Sequence, residues 1–211
     1  MFASSRPIAE KFTRRLAAAL VSCVAVCGLT AGAASAASTT VAATCPGQTF
    51  SQVFAPFGDT NLYTLVPGGE FNSPSEGWTL YNGARIISSA RPNGSIGGVL
   101  DLPSGSMAVS PGVCVTLQYP SARVWVRDVK GSEGVSVSVA YPGTRLTVTS
   151  PQNVGQVRSP QTSWALPNAF NVQPQIAGMT EGTREAKFVF TASGRCTEVQ
   201  LSGLYVDPRM R

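Results

Sequence analysis

The sequence predicts an all-β fold, a two-sheet antiparallel β-sandwich, which follows a helical and cleavable signal peptide. The sandwich is indicated by short runs that are apolar at every second position and are separated by Gly, Pro, Ser and Asn residues. No stretch after residue 44 has the periodicity of a convincing helix. The signal peptide is indicated by a basic flank, an apolar run and a group of small residues, in that order.

The first 36 residues supply the export signal. Its basic flank contains Arg6, Lys11, Arg14 and Arg15. Residues 16–31 carry no charge. This run is shorter than a membrane span, which needs about 20 residues. Ala34 and Ala36 are small enough for the signal peptidase pocket, so we expect cleavage between Ala36 and Ala37, with a second possible cut after Ala43.

A lipid anchor is the main alternative to a cleaved signal. Residues 20–23 read Leu-Val-Ser-Cys and resemble the acylation motif of lipoproteins, which would anchor the chain through Cys23. The apolar run continues well past Cys23, and for that reason we favour the cleaved signal. We therefore expect a secreted, extracellular protein that meets a membrane only during export.

About ten short segments of the mature chain have the pattern of strands. Residues 135–141 show it most clearly, because they read Val-Ser-Val-Ser-Val-Ala-Tyr and end before a Pro-Gly pair. The predicted segments are 62–66, 78–81, 85–88, 99–102, 113–117, 124–126, 135–141, 146–148, 188–190 and 199–206. In the last segment Leu204 is out of phase with Leu201, so we expect a β-bulge at Gly203. Residues 150–182 contain four prolines and are expected to hold long loops around one or two strands.

The chain is expected to divide into the signal peptide at 1–36, an N-terminal arm at 37–60 and the sandwich at 61–211. Four of the 16 basic residues and one of the 11 acidic residues leave with the signal, so the mature chain keeps 12 basic and 10 acidic residues. The basic pI of the whole chain therefore belongs mainly to the signal. No Lys/Arg cluster remains to contact phosphates, and we expect no nucleic-acid partner.

Three of the five cysteines remain after cleavage: Cys45, Cys114 and Cys196. Export makes a disulfide permissible, but an odd number leaves one thiol unpaired, and sequence alone allows three pairings. We favour the Cys45–Cys114 pair, because this bridge would tie an otherwise loose arm to a strand. Closing a loop of that length contributes about 4 kcal/mol in the chain-entropy model.

The sequence contains no histidine, which restricts its chemistry. Ser-His-Asp and Cys-His nucleophile systems are excluded, and so are the usual zinc sites with histidine ligands. No phosphate-binding glycine motif is present, since the Gly-Gly pairs at 68–69 and 97–98 are not followed by a helix. The ten mature carboxylates are expected to be solvated charges in turns and at strand edges. We therefore predict no enzyme activity, no catalytic residues and no cofactor.

The tryptophans are candidates for a ligand platform. Large aromatic side chains dominate β cores, so we expect Trp78, Trp125 and Trp164 mainly in the core. Trp164 lies in the loop-rich part of the chain, and Tyr119 and Tyr81 lie near turns. If the protein has a ligand-binding face, Trp164 and these two tyrosines are its first candidates.

The opening of the predicted sandwich resembles that of a known class of modules. Residues 65–72 read Leu-Val-Pro-Gly-Gly-Glu-Phe-Asn, and residues 77–79 read Gly-Trp-Thr. This pair of motifs is similar to the start of carbohydrate-binding modules with a galactose-binding-like jelly roll. Most of the chain from 45 to 208 also resembles a group of secreted proteins from high-GC Gram-positive bacteria. The motifs that carry this second resemblance lie at 57–59, 102–106, 110–111, 114–115 and 204–208.

The resemblance implies a jelly-roll sandwich without catalytic activity, whose partner is a glycan or a cell-wall polymer. The alternative is an extracellular structural or interaction domain whose sandwich face binds another secreted protein. In the jelly-roll modules, acidic residues near the C-terminal end help to hold a structural calcium ion. Residues 201–204 read Leu-Ser-Gly-Leu here and lack both carboxylates, so Glu70 alone is a weak candidate and we predict no metal site.

Overall fold

The part of the chain that the computed structural model describes contains twelve strands and one three-residue 3₁₀ turn. This part comprises residues 47–73, 77–116, 120–131, 133–142, 151–160, 162–172 and 183–208. The 3₁₀ turn is Ala55–Phe57, and the strands are β1 Thr64–Leu65, β2 Thr79–Tyr81, β3 Arg85–Ala90, β4 Ile96–Pro103, β5 Met107–Val109, β6 Val113–Thr116, β7 Ser121–Lys130, β8 Val135–Ala140, β9 Gln152–Val157, β10 Phe170–Asn171, β11 Thr183–Thr191 and β12 Glu198–Asp207. Within these ranges no helix is long and apolar enough to cross a membrane. The expected signal peptide, its cleavage positions and Cys45 lie outside the described residues.

The first of the two sheets, sheet I, has β12 at its centre. Its strand order is β10-β7-β12-β4-β3, and every pairing is antiparallel. β7 pairs with one edge of β12 from Glu198 to Asp207. β4 pairs with the other edge as far as Leu201, and β1 continues on that edge at Tyr205 and Val206.

Sheet II has the same plan around β11. Its strand order is β2-β5-β11-β8-β9, again with antiparallel pairing throughout. β8 pairs with one edge of β11. β5 and β6 share the other edge, because β5 pairs with residues 189–191 and β6 pairs with residues 183–186. The central strands of the two sheets are thus consecutive in the chain.

One core cluster joins the apolar faces of the two sheets, and period-two alternation brings the side chains there. In β8, Val135, Val137 and Val139 are fully buried, whereas the serines between them are partly exposed. β7 alternates in the same way and buries Val124 and Val126. The all-β, two-sheet antiparallel sandwich that the sequence predicts is confirmed.

Trp78 belongs to this core, as predicted. Its ring lies 5.0 Å from that of Phe71 and 6.2 Å from that of Phe190. The indole Nε1–H donates a hydrogen bond to the carbonyl oxygen of Gly68 at 2.9 Å. Satisfying this single polar group lets the large ring be buried at little cost.

Gly203 interrupts β12 at a β-bulge, as the sequence predicts. The register with β7 shifts between Ser202 and Tyr205, and the φ angle of Gly203 is +62°. Glycine adopts this left-handed conformation readily because it has no Cβ. The bulge brings Leu204 back to the core side after Leu201, so both leucines are buried.

The sequence does not predict β5, because Pro111 interrupts the run that leads into β6. Ser110 bridges the interruption: its backbone N–H donates to the Phe188 carbonyl at 2.9 Å, and its hydroxyl accepts from the Phe188 N–H at 2.8 Å. β5 and β6 therefore act as one strand that is broken at residues 110–112. β9 and β10 fall within the loop-rich region, as expected, whereas the predicted strand at 146–148 lies outside the described residues.

Residues 47–63, which we call the docked arm, pack against sheet I on the face that points away from the core, its outer face. Ser51 and Tyr63 pair as a β-bridge. Phe54 is fully buried, with its ring 4.9 Å from that of Tyr63 and 5.5 Å from that of Tyr205, both in edge-to-face geometry. The sequence indicates a loose arm, but contacts with the distant strand β12 fix its described part.

Candidate functional site

Long side chains project from the outer face of sheet I. In β7, the residues that alternate with the buried valines are Arg123, Trp125 and Arg127, and all three are partly exposed. On the neighbouring strand β12, Ser202 pairs with Trp125 and Gln200 pairs with Arg127. Because paired residues on adjacent strands lie side by side, these side chains form one continuous surface.

A cavity of about 310 Å³ opens on this surface around Trp125. The residues of its floor, from β7 and β12, are Trp125, Ser202, Gly203 and Tyr205. The residues of its walls, from the docked arm, the loop after β1 and the turn between β3 and β4, are Val53, Phe57, Glu70, Arg91, Pro92 and Asn93. Five separate parts of the chain therefore meet at this cavity.

Two aromatic rings give the cavity an apolar side. The Phe57 and Trp125 rings lie 5.0 Å apart and 76° to each other, an edge-to-face pair. Phe57 is nevertheless 56% exposed, so much of its surface has no protein contact. Trp125 stands over Gly203, where an added Cβ would lie 3.5 Å from the indole ring. A partly exposed pair of rings beside a cavity is suited to stack against the apolar face of a ligand.

Hydrogen-bonding groups form the opposite wall. The Arg91 guanidinium donates to the Gly98 carbonyl at 3.2 Å, to the Glu70 carbonyl at 2.9 Å and to Asn72 Oδ1 at 2.5 Å. Asn72 Nδ2 in turn donates to Glu70 Oε2 at 2.8 Å. Arg91 therefore fixes the loop that carries the Glu70 carboxylate, which is itself exposed. The close approach of this guanidinium requires a glycine at Gly97, where a Cβ would lie 2.3 Å from Arg91 Nε.

Beside the cavity, a polar bridge crosses the outer face of sheet I. Arg127 on β7 donates to Gln200 Oε1 on β12 and to Ser89 Oγ on β3, the latter at 3.1 Å. Its guanidinium lies 4.8 Å from the centre of the Trp164 ring, which is a cation–π contact. The Trp164 Nε1–H donates to the Ala90 carbonyl at 2.9 Å. We call this group the Arg127–Trp164 bridge.

Buried carboxylates correct the expectation that the acidic residues are all solvated. Asp101 of β4 is fully buried, pairs with Arg85 at 2.5 Å and accepts a hydrogen bond from Gln200 Nε2 at 3.1 Å. Asp128 of β7 is also buried. Burial raises the pKa of both carboxyls above the usual range, against the opposing effects of Gln200 and Arg85 on Asp101. The burial of Asp101 involves its cross-strand partner Gln200, which sequence periodicity does not show, whereas Asp128 follows Val124 and Val126 on the inward side of β7.

Two tyrosine hydroxyls on the outer face remain protonated at neutral pH. Burial raises the pKa of Tyr205, and the nearby Glu70 carboxylate raises it further, while Arg91 opposes the shift. Burial and a hydrogen bond of 2.8 Å to Asp59 raise the pKa of Tyr63 to about 12. Tyr205 therefore offers a neutral hydroxyl to the cavity, able to donate or accept a hydrogen bond.

The structure describes two of the three residues that the sequence nominates for ligand binding, and it places them at different sheets. Trp164 lies in the bridge beside the cavity. Tyr81 lies on β2 at the edge of sheet II and is 44% exposed, and Tyr119 lies outside the described residues. Glu70 lines the cavity, but the described residues include no cluster of acidic or cysteine side chains that could hold a metal ion.

The two cysteines that the structure describes lie away from the cavity lining. Cys114 is buried in β6, and Gln48 of the docked arm donates to its carbonyl at 3.0 Å. Its expected partner Cys45 lies outside the described residues, so the pairing stays a prediction. Cys196 is a free, exposed cysteine in the turn between β11 and β12.

Neither Trp164 nor Trp125 lies in the core cluster, where the sequence predicts both, and the position of Trp125 is the one that its neighbours could have indicated. Its facing is decided by its neighbours at two-residue spacing, Arg123 and Arg127, which share its side of the strand. Two arginines at these positions favour an outward-facing tryptophan, and this signal was available in the sequence. Phe57 and Tyr205 carry no comparable local signal, because they join the cavity only through long-range packing.

Sequence comparisons identify no family for this chain, and structural comparisons find likenesses at low identity. No protein-family model matches the sequence, and no curated protein matches it. Among solved structures, the N-terminal cellulose-binding domain of Cellulomonas fimi β-1,4-glucanase C is 16% identical, with a TM-score of 0.41 over 69% of this chain and 98% of that one.

Two further structures show likenesses at a similar level. The family 11 carbohydrate-binding module of Clostridium thermocellum, in complex with a β-1,3-1,4-mixed-linked tetrasaccharide, is 12% identical over 66% of this chain and 95% of that one, with a TM-score of 0.44. The K1 cleaved adhesin domain of Lys-gingipain from Porphyromonas gingivalis W83 is 11% identical over 72% and 99% of the two chains, with a TM-score of 0.45.

Proposed function

We propose that this protein is a non-catalytic binding module and that the cavity around Trp125 binds a glycan, as a free sugar or as part of a cell-wall polymer. One observation carries the proposal: the Trp125 and Phe57 rings share a small cavity with the Glu70 carboxylate and the Tyr205 hydroxyl. A sugar ring has an apolar C–H face and a rim of hydroxyl groups. It needs an aromatic surface and hydrogen-bonding side chains at the same place.

The size of the cavity supports a small ligand unit. Its volume of about 310 Å³ is at the lower end of the range of about 300–1,000 Å³ that is typical of small-molecule sites. The hydrogen bonds from Arg91 and Asn72 hold the Glu70 loop before any ligand binds. Such preorganisation lowers the entropic cost of binding.

The placement of the carboxylates supports binding without catalysis. A glycosidase needs two carboxyl groups about 5–10 Å apart, one of them with a raised pKa. The buried carboxyls with a raised pKa, Asp101 and Asp128, are not among the residues that line the cavity. Glu70 is the one carboxylate in that lining. The sequence offers no histidine as an alternative acid or base.

The first experiment is a glycan array with the mature protein, followed by calorimetry on each hit. Loss of a stacking ring costs about 1.5–3 kcal/mol, so Trp125→Ala should weaken binding by about 10-fold to 150-fold. Tyr81→Ala is the matched control, because Tyr81 is an exposed aromatic residue on the other sheet. A wild-type protein that binds no glycan, or a Trp125→Ala variant that binds as tightly, would refute the proposal.

A hydrolase screen on the same glycans tests the absence of catalysis. We expect unchanged ligand after long incubation. The Glu70→Gln variant is the critical comparison, since Glu70 is the carboxylate that lines the cavity. Turnover by the wild-type protein that disappears in this variant would show that the module is an enzyme.

We also propose that the protein acts outside the cell, on the basis of the basic, apolar and small-residue order of its first 36 residues. Protein collected from the culture supernatant should have an intact mass that begins at Ala37, or at Thr44 for the second cut. Membrane-bound protein that retains residues 1–36 would contradict secretion, and an acylated Cys23 would support the lipid anchor.

We also propose that Cys45 and Cys114 form a disulfide in the exported protein. Non-reducing peptide mapping of the secreted protein should recover this pair together with a free thiol at Cys196, which is exposed in the structure. A Cys114–Cys196 peptide would refute the pairing.

A further inference from the structure

The Arg127–Trp164 bridge lies at one end of the cavity floor, next to Trp125 on β7. Trp125 and Arg127 are two residues apart on the same face of β7, a distance of about 6.6–6.8 Å along the strand. From Arg127 the bridge reaches Ser89 and Ala90 on β3, across the intervening strands β12 and β4. A ligand chain that ran along the strands past Trp125 would meet this bridge.

The docked arm closes the opposite end. Arg123 lies two residues to the other side of Trp125, again on the outer face. Its guanidinium lies 5.3 Å from the centre of the Phe54 ring and pairs with Asp59 at 2.9 Å. Phe54 is fully buried and packs edge-to-face on Tyr205. The arm therefore covers the outer face at this end.

The two remaining sides are the walls of the cavity. Val53 and Phe57 of the docked arm form one of them. The β3–β4 turn forms the other, where Arg91 is held by its hydrogen bonds to the Gly98 and Glu70 carbonyls. The cavity is thus bounded on four sides by packed elements of the same chain and opens away from the sheet.

We infer that the cavity binds the end of a glycan chain, or a free mono- or disaccharide, rather than an internal stretch of a polymer. This inference rests on the proposed glycan-binding function of the same site. An internal stretch has to enter and leave a site on opposite sides, which a cavity bounded on four sides does not allow. A terminal sugar needs one opening only.

The polar groups of the cavity agree with a terminal sugar. A terminal ring keeps a hydroxyl group that an internal ring has lost to its next glycosidic bond. Glu70 accepts hydrogen bonds, and the Tyr205 hydroxyl donates or accepts them. A site that pairs such a hydroxyl rejects the analogue that lacks it, because its own polar groups are then left unpaired. The cavity therefore discriminates by the free hydroxyl as well as by shape.

The test is a chain-length series of the sugar that the array identifies, measured by calorimetry from the monosaccharide to the hexasaccharide. Affinity should rise up to the disaccharide and then stay constant within about twofold. Oligosaccharides with the terminal hydroxyl methylated should bind about tenfold more weakly or worse. On a polymer, the number of bound protein molecules should equal the number of chain ends and should not depend on chain length.

Variants of the bridge provide the second measurement. Trp164→Ala removes the ring and the hydrogen bond to the Ala90 carbonyl, so it should raise the ratio of hexasaccharide to disaccharide affinity. Ser89→Ala weakens the same bridge from β3 and tests it if the first variant fails to fold. Affinity of the wild-type protein that keeps rising beyond the trisaccharide, with several molecules bound per chain, would overturn the inference and leave glycan binding intact. Absence of binding to every glycan would overturn both.

Discussion

β7 and β8 obey the same alternation rule but present different outer faces. The inward residues of both strands are buried valines, such as Val126 in β7 and Val137 in β8. The outward residues of β8 are the small side chains Ser136, Ser138 and Ala140. The outward residues of β7 are Arg123, Trp125 and Arg127.

This difference shows which sheet has long outward side chains that can make further contacts. Small outward residues such as Ser138 mean that β8 adds no long side chain to the outer face of sheet II. Arg127 reaches from β7 to β3, and Arg123 holds Asp59 of the docked arm, so sheet I carries a second layer made by its own chain. The inward set builds the core, whereas the outward set decides whether a face can bind something.

The largest expected effect comes from removing the anchor of the second layer. Phe54→Ala should destabilise the protein by about 3–5 kcal/mol, because Phe54 is fully buried between the docked arm and sheet I. Phe50→Ala is the matched control on the same arm, since Phe50 is 41% exposed and should cost within about 0.5 kcal/mol. Urea unfolding measures both. Equal midpoints for the two variants would show that the docked arm is not part of the stable fold.

A smaller effect is expected from the outward residues themselves. Arg127→Ala should cost about 2–4 kcal/mol, because it removes hydrogen bonds to Gln200 and Ser89 and the contact with the Trp164 ring. Ser138→Ala, at an outward position of β8, should stay within about 0.5 kcal/mol. Urea midpoints that differ little between these variants would contradict the expected difference between the two outer faces.

A substitution at the bulge in β12 also tests the outer face of sheet I. Gly203→Ala should cost about 1–2 kcal/mol, because alanine is strained at a φ of +62°. Gly105→Ala has a similar strain at +76° and no neighbour within 4 Å, so it is the matched control. At Gly203 the new Cβ lies 3.2 Å from the Tyr205 ring, so this variant alone should also weaken glycan binding. Equal glycan affinities for the two variants would contradict that placement.

The smallest expected effect is a change in pH dependence. Because burial raises the pKa of Asp101, the folded state holds its proton at a higher pH than the unfolded state does. The contribution of this group to stability therefore grows as the pH falls through the folded-state pKa towards about 4, the ordinary pKa of an aspartate, and it is lost as the pH rises through the folded-state pKa. Urea unfolding across this range should show wild-type protein gaining stability relative to Asp101→Asn on acidification. Parallel pH profiles would contradict the burial of a titrating carboxyl.

The parts of the fold that follow from local periodicity were predictable. The valines of β8 and the bulge at Gly203 could be predicted because each depends on the order of residues within one strand. β5 was missed because its continuity with β6 depends on Ser110 bonding to Phe188, which is 78 residues away.

The candidate site was less predictable, for a physical reason. Its walls come from the docked arm, the Glu70 loop and the β3–β4 turn, and no local pattern links these segments to β12. Burial of Asp101 likewise depends on its cross-strand partner Gln200. Only the facing of Trp125 could have been deduced, from the arginines at two-residue spacing on either side.

The position of the two central strands has a consequence for the order in which the protein can fold. β11 and β12 are consecutive, and they come last among the described strands. As the chain is synthesised, the earlier strands of both sheets therefore lack their central partner strands until the end of synthesis. The contacts that complete the sheets are long-range and slow to form. We expect the nascent chain to stay unfolded until most of it has been made. Such a delay would suit the export that we propose, in which the chain crosses a membrane before it folds.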